Sequence, residues 1–155
     1  MIGTKILFVD DEIAFADNMT RLLNSRGYRV TAVYDGDSAV QTLREERFDI
    51  VVLDLKMPGM DGIMTLKEIK RLGLFTEILI LTGHGSIDTA MEAIKLGAYD
   101  YLTKPCGIEE LMLKIEGAHE KKIDDERKDL EGKIRRVVES PASVFELFPD
   151  KSKKG

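Results

Sequence analysis

Ile50-Val51-Val52-Leu53-Asp54-Leu55-Lys56-Met57-Pro58-Gly59-Met60-Asp61-Gly62 runs from an apolar stretch, through a carboxylate, into a Pro/Gly turn and a helical pattern. The opening run has no polar interruption. That pattern predicts a strand covered on both faces, as in a parallel sheet. After Asp61, the residues Ile63, Leu66 and Ile69 recur at helical spacing, and Gly73 marks the stop.

Working outward, the same alternation repeats on both sides. Strands are predicted at 6–9, 29–34, 50–53, 78–81 and 99–102. The second is the weakest, because its apolar residues alternate with polar ones. A first helix places Phe15, Met19, Leu22 and Leu23 on one face and stops at Gly27. A second runs over 38–46. A fourth places Ile87, Met91 and Ile94 on one face and stops at Gly97, and a fifth carries Ile108, Leu111 and Ile115. Alternating strands and helices predict an α/β fold with a parallel sheet and right-handed crossovers. No longer-period repeat is present.

The 155 residues suit one ordinary domain with some to spare. No apolar run approaches the roughly 18 residues that span a bilayer, and the N-terminus shows no signal-peptide pattern. Cys106 is the single cysteine, so no internal disulfide is expected, in keeping with a cytoplasmic protein. No Cys/His cluster suggests structural zinc. The net charge of −5 divides unevenly: residues 1–120 carry −7 and residues 121–155 carry +2. An acidic body argues against direct nucleic-acid binding, which needs basic surface. A single domain is therefore expected at 1–120, followed by a charged helical or linker tail at 121–155.

Each clean apolar run leads to a polar residue with chemical potential. The first ends on Asp10-Asp11, the third on Asp54 and the fourth on Thr82; the fifth leads through Thr103 to Lys104-Pro105. In an open parallel sheet, ligands bind at the carboxyl ends of the strands. Three carboxylates, a hydroxyl and an ammonium are thus expected at one sheet edge, where no packing argument calls for them. Clustered carboxylates resist ionising beside one another, and a hard cation such as Mg2+ relieves that conflict. Lys104 and Thr82 suit phosphoryl oxygens, which leaves Asp54 as the nucleophile for an aspartyl phosphate. Taken singly, each residue has a plainer reading. Asp10-Asp11-Glu12 could open a helix, Lys104 could lie on the surface, and Thr82 could end a strand.

Together these motifs resemble the response-regulator receiver family over residues 4 to about 120. The stretch from Thr82-Gly83-His84 through Lys104-Pro105 is similar to receivers of nitrogen-regulation-type transcription activators. The resemblance implies a flavodoxin-like doubly wound sheet of five parallel strands in the order 2-1-3-4-5. It implies phosphorylation of Asp54, a signalling phosphoacceptor rather than an enzyme acting on outside substrates, and a sensor histidine kinase or phosphotransfer protein as donor. Asp11, Asp54 and the Lys56 backbone carbonyl would hold Mg2+, with Asp10 acting through water. Lys104 and Thr82 would bind phosphoryl oxygens, Tyr101 would follow as the switching aromatic, and the peptide before Pro105 would be cis. His84 would sit where the lifetime of the phosphoryl group is tuned.

Rival readings fit less well. A haloacid-dehalogenase-like phosphatase resembles Asp-x-Asp at its nucleophile, whereas Lys56 stands at the second position here. A nucleotide or flavin binder would place a phosphate cradle after strand one, where Asp10-Asp11 would repel phosphate. No Walker-type loop is present, so the chain reads as a stand-alone receiver acting on a downstream protein. In the tail, Ile123, Leu130, Ile134, Val137 and Val138 form a thin stripe suited to pairing with a second copy, weakened by Gly132 and ended by Ser140-Pro141. Val144, Phe145, Leu147 and Phe148 form a further apolar patch.

Overall fold

The computed structural model describes residues 3–57, 61–83 and 87–143. His84 and the 144–148 patch lie outside them. Five strands alternate with five helices: β1 (Lys5–Val9), α1 (Ile13–Ser25), β2 (Arg29–Val33), α2 (Gly36–Glu45), β3 (Ile50–Leu53), α3 (Gly62–Arg71), β4 (Glu77–Thr82), α4 (Ile87–Lys95), β5 (Asp100–Thr103) and α5 (Ile108–Glu139). A 3-10 turn, Pro141–Ser143, follows. All strand pairs are parallel, in the order β2-β1-β3-β4-β5.

The sheet is covered on both faces, which explains the uninterrupted apolar runs. Leu7, Val9, Val51, Leu53, Ile78 and Ile80 face one cluster, with Leu43, Leu66, Ile69 and Ala93 from α2, α3 and α4. Ile6, Phe8, Val52, Leu79 and Leu81 face the other, with Met19 and Leu23 from α1 and Leu111 and Ile115 from α5. β2, at the sheet edge, contributes no fully buried residue, as its alternating sequence predicts.

Local signals set the helix boundaries. Asp35 caps α2 by accepting from the Ser38 amide, and Asp61 caps α3 by accepting from the Met64 amide. Gly73 and Gly97 take positive φ of 67° and 108° beyond α3 and α4, a region that glycine enters at little cost.

The structure corrects the expected inner face of α4. Ile87 and Met91 are exposed, and the buried residues are Ala90 and Ala93. Small side chains let this helix lie close to the sheet; Ile94 packs against the core as expected, while Ile87 and Met91 turn outward. α5 runs through Gly132 to Glu139 and ends just before Ser140-Pro141, as the sequence predicts.

The chain divides into compact units at 1–122 and 123–155. Within the second, Arg127 pairs with Asp124 and Glu131, Lys128 with Asp124, and Lys133 with Asp129. Such pairs support an exposed helix by roughly 0.2–0.5 kcal/mol each. Ile123, Leu130, Ile134 and Val138 are exposed. Among the described residues, no helix is long and apolar enough to cross a membrane.

Candidate phosphoacceptor site

Strand register brings the acids together. Val9 lies opposite both Val33 and Leu53. One residue further on, the Asp10 amide donates to Val33 O and the Asp54 amide to Val9 O. Asp10 and Asp54 therefore leave adjacent strands side by side. Across the sheet, Thr82 lies opposite Thr103, and the Lys104 amide donates to Thr82 O. The peptide between Lys104 and Pro105 is cis.

Lys104 reaches across this edge. Its Nζ donates to Asp10 Oδ2 at 2.6 Å, and it lies 3.4 Å from Glu12 Oε1 and 3.8 Å from Asp54 Oδ2. Asp10, Asp54 and Thr82 are buried, at 1%, 3% and 3% exposure. Asp10 Oδ1 accepts from the Glu12 amide, and Asp54 Oδ1 accepts from the Lys56 amide at 3.2 Å.

Burial pushes the Asp54 carboxyl above the ordinary aspartate range. The Lys56 amide and the Lys104 charge oppose that rise, Asp10 adds to it, and the nearby Thr82 hydroxyl opposes it weakly. Burial works to lower the Lys104 ammonium, but its bond to Asp10 and the charges of Asp54, Asp10 and Glu12 outweigh burial and raise it. The Thr82 Oγ1 is buried without a hydrogen bond of ordinary geometry, so its influence on Asp54 is one of proximity.

The carboxylates that can share a cation are Asp10, Glu12 and Asp54, whose oxygens lie within 4.8 Å of one another. Asp11 is exposed and is not a member of this group. Glu12, which the sequence reading left at a helix start, takes a place there instead. It occupies the N-cap position of α1, yet its side chain makes no capping bond. Glutamate is not among the favoured caps, and that mismatch was the available signal. Asp10, Asp54, Thr82 and Lys104 are brought to one edge. Tyr101 lies in β5, half-buried against the cluster of Leu7 and Ile80. Lys56 is exposed, with its amide on Asp54.

Gly62 lies directly against the backbone of Asp54 and Leu55. A Cβ there would stand 2.3 Å from Leu55 Cα and 2.6 Å from Asp54 O. The Gly62 amide donates to Leu55 O at 3.1 Å, so the start of α3 is drawn directly against the end of β3.

A five-stranded parallel sheet with two acids, a hydroxyl and a lysine at its carboxyl edge defines an aspartyl-phosphate receiver. Residues 6–116 match the response regulator receiver domain, and the chain belongs to that family. Among curated proteins it is 40% identical over 147 residues to the transcriptional regulatory protein ZraR of Klebsiella oxytoca, covering 94% of this chain and 31% of that protein. It is 36% identical over 111 residues to the sporulation initiation phosphotransferase F of Bacillus subtilis, covering 72% of this chain and 90% of that protein. Among solved structures, NtrX from Brucella abortus with ADP superimposes with a TM-score of 0.77 at 35% identity, over 83% of this chain and 30% of that one. A receiver domain protein from Clostridium thermocellum superimposes with a TM-score of 0.73 at 36% identity, over 77% and 96%. The chain thus spans under a third of the ZraR relative. Receiver domains of two-component response regulators are phosphorylated on aspartate and interact with histidine kinases and output domains.

Proposed function

We propose that Asp54 is the phosphoacceptor, taking a phosphoryl group from a histidine kinase or phosphotransfer protein with Mg2+ at the acidic edge. The observation that carries this is Lys104 Nζ bridging Asp10 and Asp54, at 2.6 and 3.8 Å, beside the buried Thr82 hydroxyl. An Asp54 oxygen attacks phosphorus, and the bond from phosphorus to the donor breaks. The donor leaves with that electron pair: a histidine nitrogen from a kinase, or acetate from acetyl phosphate. The Lys104 ammonium faces the transferred group and offsets its charge. The Thr82 hydroxyl, having no bond to give up, is suited to donate to a phosphoryl oxygen.

The donor set fits Mg2+. Asp10, Glu12 and Asp54 supply hard oxygens within 4.8 Å of one another, and their repulsion favours a cation. Bound there, the cation would neutralise charge on the carboxylates and on the phosphoryl oxygens. Asp10 and Asp54 would hold it, with Glu12 near, and with Asp11 and the Lys56 carbonyl as the ligands that the family resemblance adds.

The reading continues to Tyr101 as the residue that follows the change at Thr82, and to a downstream protein as the target. The acidic surface of residues 1–120, net −7, supports a protein partner rather than direct nucleic-acid binding by this segment. The test is labelling by acetyl phosphate with and without Mg2+, read by intact mass. The native chain gains one phosphoryl group only with the cation, and Asp54→Asn gains none. Undiminished labelling of Asp54→Asn would overturn the assignment.

A further inference from the structure

Lys104 stands among carboxylates, but it also faces a ring. Its Nζ lies 4.3 Å from the centroid of Phe15, and its side chain is 13% exposed. Phe15 belongs to α1, and its ring meets that of Phe8 in β1 with 6.0 Å between centroids and 58° between planes. A tilted pair of this kind is a favoured aromatic arrangement, and it fixes the Phe15 ring against the sheet. An ammonium over a ring face is attracted to its π cloud, more strongly where water is excluded.

A ring has a chemical advantage at this place. In the free domain the ammonium bonds Asp10 at 2.6 Å, with Glu12 at 3.4 Å and Asp54 at 3.8 Å, and after transfer it serves a phosphoryl oxygen as well. A further carboxylate behind the lysine would hold it directionally and compete with the phosphoryl group. A ring face is neutral and has no lone pair aimed at one point. It goes on attracting the ammonium as the ammonium's oxygen partners change.

We propose that Phe15 is a positioning residue for phosphoryl transfer, its ring face keeping the Lys104 ammonium at the acceptor once Asp10 turns to the cation. This rests on the reading of Asp54 as acceptor. Phe15 touches neither phosphorus nor cation, and it acts through Lys104.

The experiment replaces Phe15 in the full chain with mono-, di- and trifluorophenylalanine, which keep the ring while draining negative potential from its face. Phe15→Leu is made alongside. Labelling by acetyl phosphate is followed over a range of concentrations, with Mg2+ affinity by calorimetry, melting temperature, and the NMR shift of the Lys104 ε-methylene protons. The native shift should be displaced by the ring current and return to the ordinary value in Phe15→Leu. The maximal labelling rate should fall stepwise with fluorine, by roughly tenfold across the series. The half-saturating acetyl phosphate concentration, the Mg2+ affinity and the melting temperature should hold steady. A flat rate across the fluorinated series overturns the proposal, even if Phe15→Leu labels slowly or melts early, because the ring then only packs. If the native chain does not label at Asp54, the acceptor reading falls and takes this proposal with it. Flat rates in a chain that does label overturn this proposal alone.

Discussion

Burial, together with the charge of Asp10, works against the charge of Asp54 more strongly than the Lys56 amide, Lys104 and Thr82 support it, so the carboxyl sits above its ordinary value. A carboxyl raised in this way binds its proton more tightly in the folded chain than in the unfolded one. The stability gained from that proton is present below the ordinary aspartate value, about 4, and is lost as pH rises through the raised value. At pH 7 the metal-free fold carries the full penalty of the buried charge. Asp54→Asn should therefore melt higher than the native chain at pH 7 without divalent cation, and the gap should close as pH falls toward about 4. A variant that melts at or below the native temperature at pH 7 would contradict this. Thr82→Ala removes a buried hydroxyl that makes no ordinary hydrogen bond. Its stability should stay within about 1 kcal/mol of native in urea titration. It should still label at Asp54, while NMR spectra of labelled and unlabelled chains differ less than in the native protein. Asp10, Asp54, Thr82 and Lys104 were legible in the sequence because each follows an apolar run whose burial fixes where it ends. Whether Asp11 or Glu12 joins Asp10 in the group was not legible. That depends on the backbone at the start of α1, where Glu12, itself exposed, reaches the group and Asp11 does not join it.

At the scale of elements, the buried charged residues among those described are Asp10, Asp54 and Glu77. The first two lie at the carboxyl edge of the sheet; Glu77 opens β4 at the other end. It is paired with Lys121 of α5 at 2.9 Å, and next to it Lys122 pairs with Asp49 at 3.0 Å. Asp49 and Glu77 sit at the starts of neighbouring strands, linked by the Glu77 amide donating to Asp49 O. Consecutive residues on a helix point about 100° apart, so two adjacent lysines held by two strand starts restrain α5 from rolling on the sheet. Lys121→Ala leaves Glu77 buried with one partner fewer. Because Lys121 is itself half-exposed, the cost expected is about 1–2 kcal/mol, below that of a fully buried pair. Glu77→Leu should cost less than Lys121→Ala, since an apolar residue suits a position whose successors in β4 are Ile78 to Leu81. Urea titrations giving the reverse order would refute the account. The Gly62 contact belongs to this scale too. Gly62→Ala drives a Cβ into the Leu55 and Asp54 backbone, and should cost about 1–3 kcal/mol and slow labelling by moving the acceptor. Strand periodicity made the elements legible, and β3 matched its expected bounds because both its faces are buried. The face of α4 was legible only at Ile94, because large apolar residues were weighted above alanines at Ile87 and Met91, and helix–sheet proximity favours Ala90 and Ala93.

At the scale of the whole chain, the sequence reading set a boundary at residue 120, where charge rises and apolar periodicity thins. The first compact unit runs to Lys122. Lys121 and Lys122 look in the sequence like the first charges of a tail but pair with Glu77 and Asp49. Composition could not reveal this, because an ion pair between residues 44 apart in sequence leaves no local pattern. Beyond Lys122, the helix is supported by the side-chain pairs of Asp124, Arg127, Lys128, Glu131, Asp129 and Lys133 on its own surface. Pairs of that kind, at a few tenths of a kcal/mol each, leave a short isolated helix marginal in water. Two truncations therefore separate the readings. A chain ending at Lys122 keeps every contact named for the sheet, its two clusters and the acceptor edge. It should unfold in urea within about 1 kcal/mol of the full chain and label at Asp54 at the same rate. A chain ending at Glu120 loses both lysine pairs while keeping the acceptor residues. It should be less stable by about 1–3 kcal/mol, because two carboxylates at the strand starts are left short of counter-charge, yet it should still label under conditions where it is folded. Equal stability of the two truncations would show that the lysine pairs do not hold α5. Loss of labelling in the longer truncation would show that residues beyond 122 support the acceptor.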